Sequence, residues 1–283
     1  MKTQLKNHLQ ARVNQFVLND RSVDDDVKTK LILCESRDAN ITKIVANGKV
    51  LAEKRIDDEI IIRYELHSQY FITHKDKQYI EEIMETRRAH FQNRQLLKDI
   101  CEEKILNTDS YEVHSDDEER VAFHYDRQAA VAYAEKWWND YNPKFKKFDV
   151  DCTNYVSQCL FAGGAPMRGY PSRTRGWWMQ NNNWSFSWTV ANALTQYLST
   201  SKTGLRAKQV SNPKELKLGD VICYDFQGDG RFDHTTIVTD HDADGMPLVN
   251  AHTDNSRHRY WSYEDSIAYT PNIAYKFFTI IED

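Results

Sequence analysis

Residues 149–165, DVDCTNYVSQCLFAGGA, constrain this chain more than any other stretch. Cys152 follows an aspartate and opens a run with helical spacing of apolar side chains, closed by Gly163-Gly164. Residues 152, 156, 159 and 160 fall along one face, so the stripe that packs on a sheet begins at Cys152. A cysteine at a helix N-terminus feels the positive end of the macrodipole, which favours thiolate over thiol. Cys159 lies in mid-helix, away from that end, and reads as core. Cys152 is therefore a candidate nucleophile, provided that a histidine and a polar third partner follow.

Several function classes are set aside by composition. The chain has 283 residues, 40% of them hydrophobic, enough for more than one core, and a net charge of −5 that is no basis for nucleic-acid binding. Five cysteines, at 34, 101, 152, 159 and 223, form no close CxxC pair. They read as reduced thiols rather than a disulfide scaffold or a zinc site. No metal and no cofactor is expected. The first twenty residues hold no continuous apolar segment, so no signal peptide is visible, and no apolar run is long enough to span a membrane. The expected location is the cytoplasm, with the cell envelope open if another export route exists. Oligomeric state is not readable.

The expected fold class is α+β in two domains. In the first, 1–106, residues 3–18 are spaced as a helix; KTKLILCE, NITKIVANG and EIIIRYELHS read as strands, with Asn47-Gly48 a hairpin turn. A long amphipathic helix is then predicted from Asp76 to Leu106, burying Ile80, Ile83, Met84, Phe91, Leu96, Leu97 and Ile100. This helix–sheet–helix unit carries no catalytic constellation and its role is unknown. An acidic linker is placed at 107–122, and a second domain at 123–283. There, 126–141 and 189–199 read as helices and 216–226, 234–240, 247–253 and 274–281 as antiparallel strands. Helices followed by a sheet is an α+β order.

His234 opens one of these strands after the turn DFQGDGRFDH. A strand start is a rigid rim position, suited to holding an imidazole against a thiol. A third group should fix the imidazole's tautomer. Asn250 and His252 on the next strand face one side by alternation, and either could serve.

Four segments in this order, YDRQAAVAYAEKWW, DCTNYVSQCLFAGGAPM, LKLGDVICYDFQGDGRFDHTTIVT and PLVNAHTDN, resemble the family called the Putative amidase domain. That family is grouped with papain-like cysteine peptidases, near the NlpC-type and CHAP cell-wall hydrolases. The likeness runs from about residue 124 to the end and does not reach the first 120 residues. It implies a papain-like domain with Cys152 as nucleophile and His234 as general base. The third position falls on Asn250 by the NlpC-type pattern and on His252 by the amidase-type pattern, with Asn250 placed ahead. The implied reaction is hydrolysis of an amide in a peptide or peptidoglycan stem through an acyl-enzyme. Its oxyanion would be held by the Cys152 N–H and by a second donor among Asp151, Tyr125 and Gln128. An idle binding module, or a transamidase or deamidase using the same site, are the alternatives.

Trp177, Trp178, Trp184 and Trp188 lie in one loop and have two readings, a substrate-binding aromatic wall or packing beneath the loop. DFQGDG and DHDADG resemble the start of a calcium loop but lack its glutamate, and read as hairpin turns.

Overall fold

A computed structural model describes residues 1–20, 25–102, 111–114 and 119–282. The chain is of mixed α+β type and divides into two compact units, Met1–Glu103 with Ser262–Ile267, and Lys104–Trp261 with Ala268–Asp283. Of the expected linker, residues 107–110 and 115–118 lie outside the described residues. Its described part includes Tyr111, whose ring stacks on Phe186 at 3.7 Å.

In the first unit, helices α1 (Lys2–Leu18) and α2 (Asp25–Glu35) precede an antiparallel meander of β1 (Ala39–Ile56), β2 (Glu59–His74), β3 (Lys77–Gln92) and β4 (Gln95–Cys101). Three expectations fail here. KTKLILCE is helical, because Val27, Lys30, Leu31 and Cys34 share one buried side at i, i+3, i+4, i+7 spacing. Asn47-Gly48 is not a turn but lies mid-strand opposite His67 and Leu66; the reversal comes at Asp57, whose φ of 50° fits a tight hairpin. The long helix predicted from Asp76 is instead the hairpin β3–β4, turned at Asn93 and Arg94 with φ of 48° and 64°. The reason is electrostatic. β3 does alternate, with Tyr79, Glu81, Ile83, Arg87, Ala89 and Phe91 buried, but two of those positions are charged. Glu81 pairs with Lys30 of α2, and Arg87 Nε donates to Asp99 Oδ2 at 3.0 Å. Charges on the inward face hide the period of two, and the remaining apolar residues then fall into a helical stripe.

In the second unit, α3 (Arg127–Trp137) and α4 (Cys152–Ala162) come first. A two-stranded ribbon follows, β5 (Met179–Gln180) with β6 (Asn183–Trp184), then α5 (Phe186–Thr189) and α6 (Ala191–Thr200). The sheet is made of β7 (Arg206–Val210), β8 (Val221–Asp225), β9 (His234–His241), β10 (Pro247–Ala251), β11 (Ser256–Tyr260) and β12 (Ala274–Ile281). Its strand order is β11-β10-β9-β8-β12-β7, and the described pairings are antiparallel. β7 and β11 are strands that the sequence reading left out. β8 and β10 are buried along their whole length. The core joins Ala130 and Ala134 of α3, Tyr155, Val156, Cys159 and Leu160 of α4, and Leu194 and Leu198 of α6 to Val221, Cys223, Ile237 and Phe278 of the sheet. At about 25 cal/mol per Å² this apolar burial is what fixes α4 on the sheet. Cys159, with no exposed surface, is core as expected.

Candidate active site

α4 starts where the sequence places it, with Asp151 as N-cap and Cys152 as first helical residue. Its apolar stripe seats it on β9, which buries Cys152 to 2% exposure. The sulfur lies 3.7 Å from Thr153 Oγ1 and takes further hydrogen bonds from the backbone of Thr235 and the side chain of Thr253. Thr235 is the residue after His234, and its own Oγ1 lies 3.2 Å from Thr153 Oγ1. Burial nevertheless pushes the Cys152 thiol up from its ordinary value, and these bonds only partly offset the rise. Burial thus acts against the thiolate that the helix start would favour.

His234 opens β9 directly opposite Tyr224 of β8. The rings of Tyr224 and Phe226 flank it at 5.6 and 6.1 Å between centroids. Burial first, and the Arg259 guanidinium second, push its pKa down to about 3. The structure brings the Cys152 sulfur to the backbone beside His234 while the ring itself keeps aromatic company and a cation.

Neither candidate third partner turns to His234. The Asn250 amide donates to Glu135 Oε1 at 2.8 Å, and its oxygen accepts from Thr239 Oγ1 at 2.9 Å and from the His258 N–H at 2.8 Å. His252 places Nδ1 2.8 Å from Asp151 Oδ2 and Nε2 2.7 Å from the Trp137 carbonyl. The expected period-two relation does place both residues near one another at the end of β10, yet their bonds run to α3 and to the start of α4. Of the oxyanion donors considered, Tyr125 has both its hydroxyl and its N–H committed, to Gly219 O and Glu282, and Asp151 N–H donates to Thr253 Oγ1 at 3.2 Å.

The aromatic wall needs correction. Trp177, Trp178 and Trp188 have no exposed surface, and their indole N–H groups donate inward to Ser157 Oγ, to the Ser172 and Arg175 carbonyls, and to Asn154 Oδ1. They pack beneath the loop, each with its polar handle satisfied. Trp184 alone of the four is half-buried, with Lys146 and Arg173 over its ring at 4.6 and 5.1 Å. The acidic turns behave as turns. Asp225 accepts from the N–H groups of Gly228, Asp229 and Gly230, and Asp242 from those of Asp244 and Met246.

Two residues of this region, Glu135 and Arg259, were missed by sequence reasoning, and Asp151 was considered only as an oxyanion donor. Asp151 had a local signal, an acid directly before the cysteine. Glu135 is on α3, far along the chain from Asn250, His258 and Arg257, which it binds; no local pattern marks it. Burial would push its carboxyl up, but the bonds from His258, Arg257 and Asn250 outweigh that and hold it at about 2.

Among the described residues, no helix is long and apolar enough to cross a membrane. The model of the family described as "Putative amidase domain" matches residues 124–278. A relative from Bacillus subtilis (strain 168), "Uncharacterized protein YhbB", is 48% identical over 286 aligned residues, covering 96% of this chain and 92% of its own length. "Uncharacterized protein YjcM" of the same strain is 34% identical over 140 residues, 46% of this chain and 31% of its own length. No solved structure matches. The family match reaches from the approach to α3 into β12 and takes in Cys152, His234, Asn250 and His252, so the chain belongs to the family of the putative amidase domain.

Proposed function

We propose that this protein is a cysteine-dependent amidase or peptidase of papain-like type, acting on an amide of a peptide or peptidoglycan stem. Membership of an amidase-type family supports amide-bond hydrolysis in general. The observation that carries the cysteine mechanism is the Cys152 sulfur at a helix start, hydrogen-bonded to the residue next to His234. In the proposed reaction His234 turns toward the sulfur and takes the thiol proton as sulfur attacks the carbonyl carbon. The N–H of Cys152 holds the oxyanion. The imidazolium then protonates the leaving amine, the C–N bond breaks, and a thioester remains. Water, deprotonated by His234, hydrolyses the thioester and restores the thiol. Asn250 and His252 stay outside this proton path as they stand, because their polar atoms are spoken for.

The test is intact-mass trapping of an acyl-enzyme from pooled peptide amides and muropeptides. The adduct should map to Cys152 and vanish in Cys152→Ala, with turnover falling about 10⁴-fold. An adduct that persists in the variant refutes the nucleophile. A three-carbon bis-alkylating ketone should bridge Cys152 to His234 only if the ring can reach the sulfur.

A second reading, a papain-like module that binds without turnover, is favoured by one observation. Burial moves the thiol up and the imidazole down, the opposite of what an ion pair needs. Cys152 alkylation that rises only above the ordinary thiol range would support it. Release of amine-exchanged products when a free amine is supplied would indicate transamidation.

A further inference from the structure

We propose that Asp151 and His252 form a positioning pair that fixes the first turn of α4, and with it the Cys152 sulfur; the catalytic significance rests on the reading of Cys152 as nucleophile. An aspartate at an N-cap ordinarily turns its carboxylate onto the first-turn N–H groups, a bond worth about 1 kcal/mol. Asp151 makes no such cap. Its Oδ1 accepts from the Phe148 N–H and from Asn154 Nδ2, both at 2.9 Å, and its Oδ2 faces His252 Nδ1. The capping acid has been diverted to the end of β10.

His252 is pinned from every side. Nε2 must carry a proton, because the Trp137 carbonyl can only accept. Nδ1 lies 2.8 Å from Asp151 Oδ2. The ring stacks on Tyr155 of α4 at 4.0 Å and is tilted against Tyr141 at 4.8 Å. One buried side chain thus ties the end of α3, the end of β10 and the N-cap of α4 together.

The next residue extends the tie. Thr253 has φ of 86°, a left-handed conformation in which a β-branched residue is strained. Such strain persists only where surroundings over-determine it. Here the strained backbone delivers the Thr253 hydroxyl to the Asp151 N–H and to the Cys152 sulfur. Residues 252 and 253 therefore hold residues 151 and 152 together. A role in orienting His234 does not fit these bonds; a role in holding the nucleophile does.

Peptide-resolved alkylation of the full chain tests the pair, with Cys159 and Cys223, both buried, as internal controls. His252→Gln should loosen the first turn and label Cys152 about ten-fold faster while Cys159 and Cys223 stay protected. Asp151→Ala should match it. Asp151→Asn should rescue: Oδ1 keeps its two donors, the amide NH₂ faces Nδ1, and the ring still donates to Trp137. That variant should label within about two-fold of the parent. If Cys152 labels at the parent rate in His252→Gln, or if all three cysteines accelerate together, the positioning role is overturned and the pair is ordinary packing. On an amide substrate, His252→Gln should lower kcat with KM kept, as expected of a misplaced nucleophile. Activity surviving in Cys152→Ala would remove the nucleophile reading alone, since the labelling pattern reports position whatever the sulfur does.

Discussion

Both units bury ionisable side chains, and the company those side chains keep differs. In the first unit Lys30 lies between Glu81 and Asp265, and Arg87 between Glu85 and Asp99. Burial alone would push the Lys30 pKa down, but the two carboxylates more than reverse it, so the ammonium stays charged. Around the start of α4, Cys152 meets hydroxyls and amides, and His234 meets aromatic rings and the cation of Arg259. Burial pushes the Cys152 thiol up and the His234 imidazole down. Buried charge that meets its opposite serves the scaffold; the surroundings of Cys152 and His234 instead disfavour the charged form of each. The glutamate of the second unit, Glu135, sides with the scaffold, since three donors hold it ionised.

The contrast can be broken at several points. Lys30→Met strands Glu81 and Asp265 and should destabilise the first unit by about 3–5 kcal/mol in urea unfolding. A loss below about 1 kcal/mol would mean that these charges are not a matched set. His234 gives the next largest effect, with a definite sign. Its folded pKa, about 3, lies below the unfolded value of 6.5, so the unfolded chain binds the extra proton between them. Stability should fall as pH drops from 6.5 toward 3 and level off below. His234→Asn should lack that slope; an identical pH profile in the variant would place the imidazole in water. Glu135 runs by the carboxylate rule. Its contribution is complete above its unfolded value of 4.5 and is lost as pH falls through about 2. Discounted for its partial exposure, Glu135→Gln should cost about 1 kcal/mol at pH 7 and nothing well below pH 2. Equal cost at both ends would mean the carboxylate's charge plays no part. Thr253→Gly should be smallest, within about 1 kcal/mol of the parent by thermal melting, because relief of strain offsets the lost hydroxyl bond and the freer glycine. A larger loss would assign the hydroxyl, not the backbone, the main share.

The same contrast decides what could be read beforehand. Strands β8, β9, β10 and β12 were legible because β-branched and apolar residues fill most of their buried positions, and α4 because Cys152, Val156, Cys159 and Leu160 repeat at helical spacing up to a glycine pair. β3 was not, since Glu81 and Arg87 occupy core positions and a partner on another element is what makes them tolerable. Within the site, Cys152 and His234 could be nominated from chain order and flanking turns. The partners of Asn250 and His252 could not: Glu135 and Asp151 are each over a hundred residues away in sequence, and both candidates share a strand side with equal claims. The tryptophan loop failed for another reason. Ser157, Asn154 and backbone carbonyls supply buried acceptors for the indoles, and nothing local in RTRGWWMQNNNWSFSWT announces them.

The depth of Cys152 also bears on how the protein meets its chemical surroundings. Peroxides and electrophiles attack thiolates they can reach. A sulfur whose residue leaves 2% of its surface open offers little access. The protein should therefore keep its thiol through an oxidative challenge that silences an exposed cysteine, and should ignore small amides that cannot part Thr253 from the helix start. Selectivity of that kind comes from shelter, before any contact with a preferred partner is made.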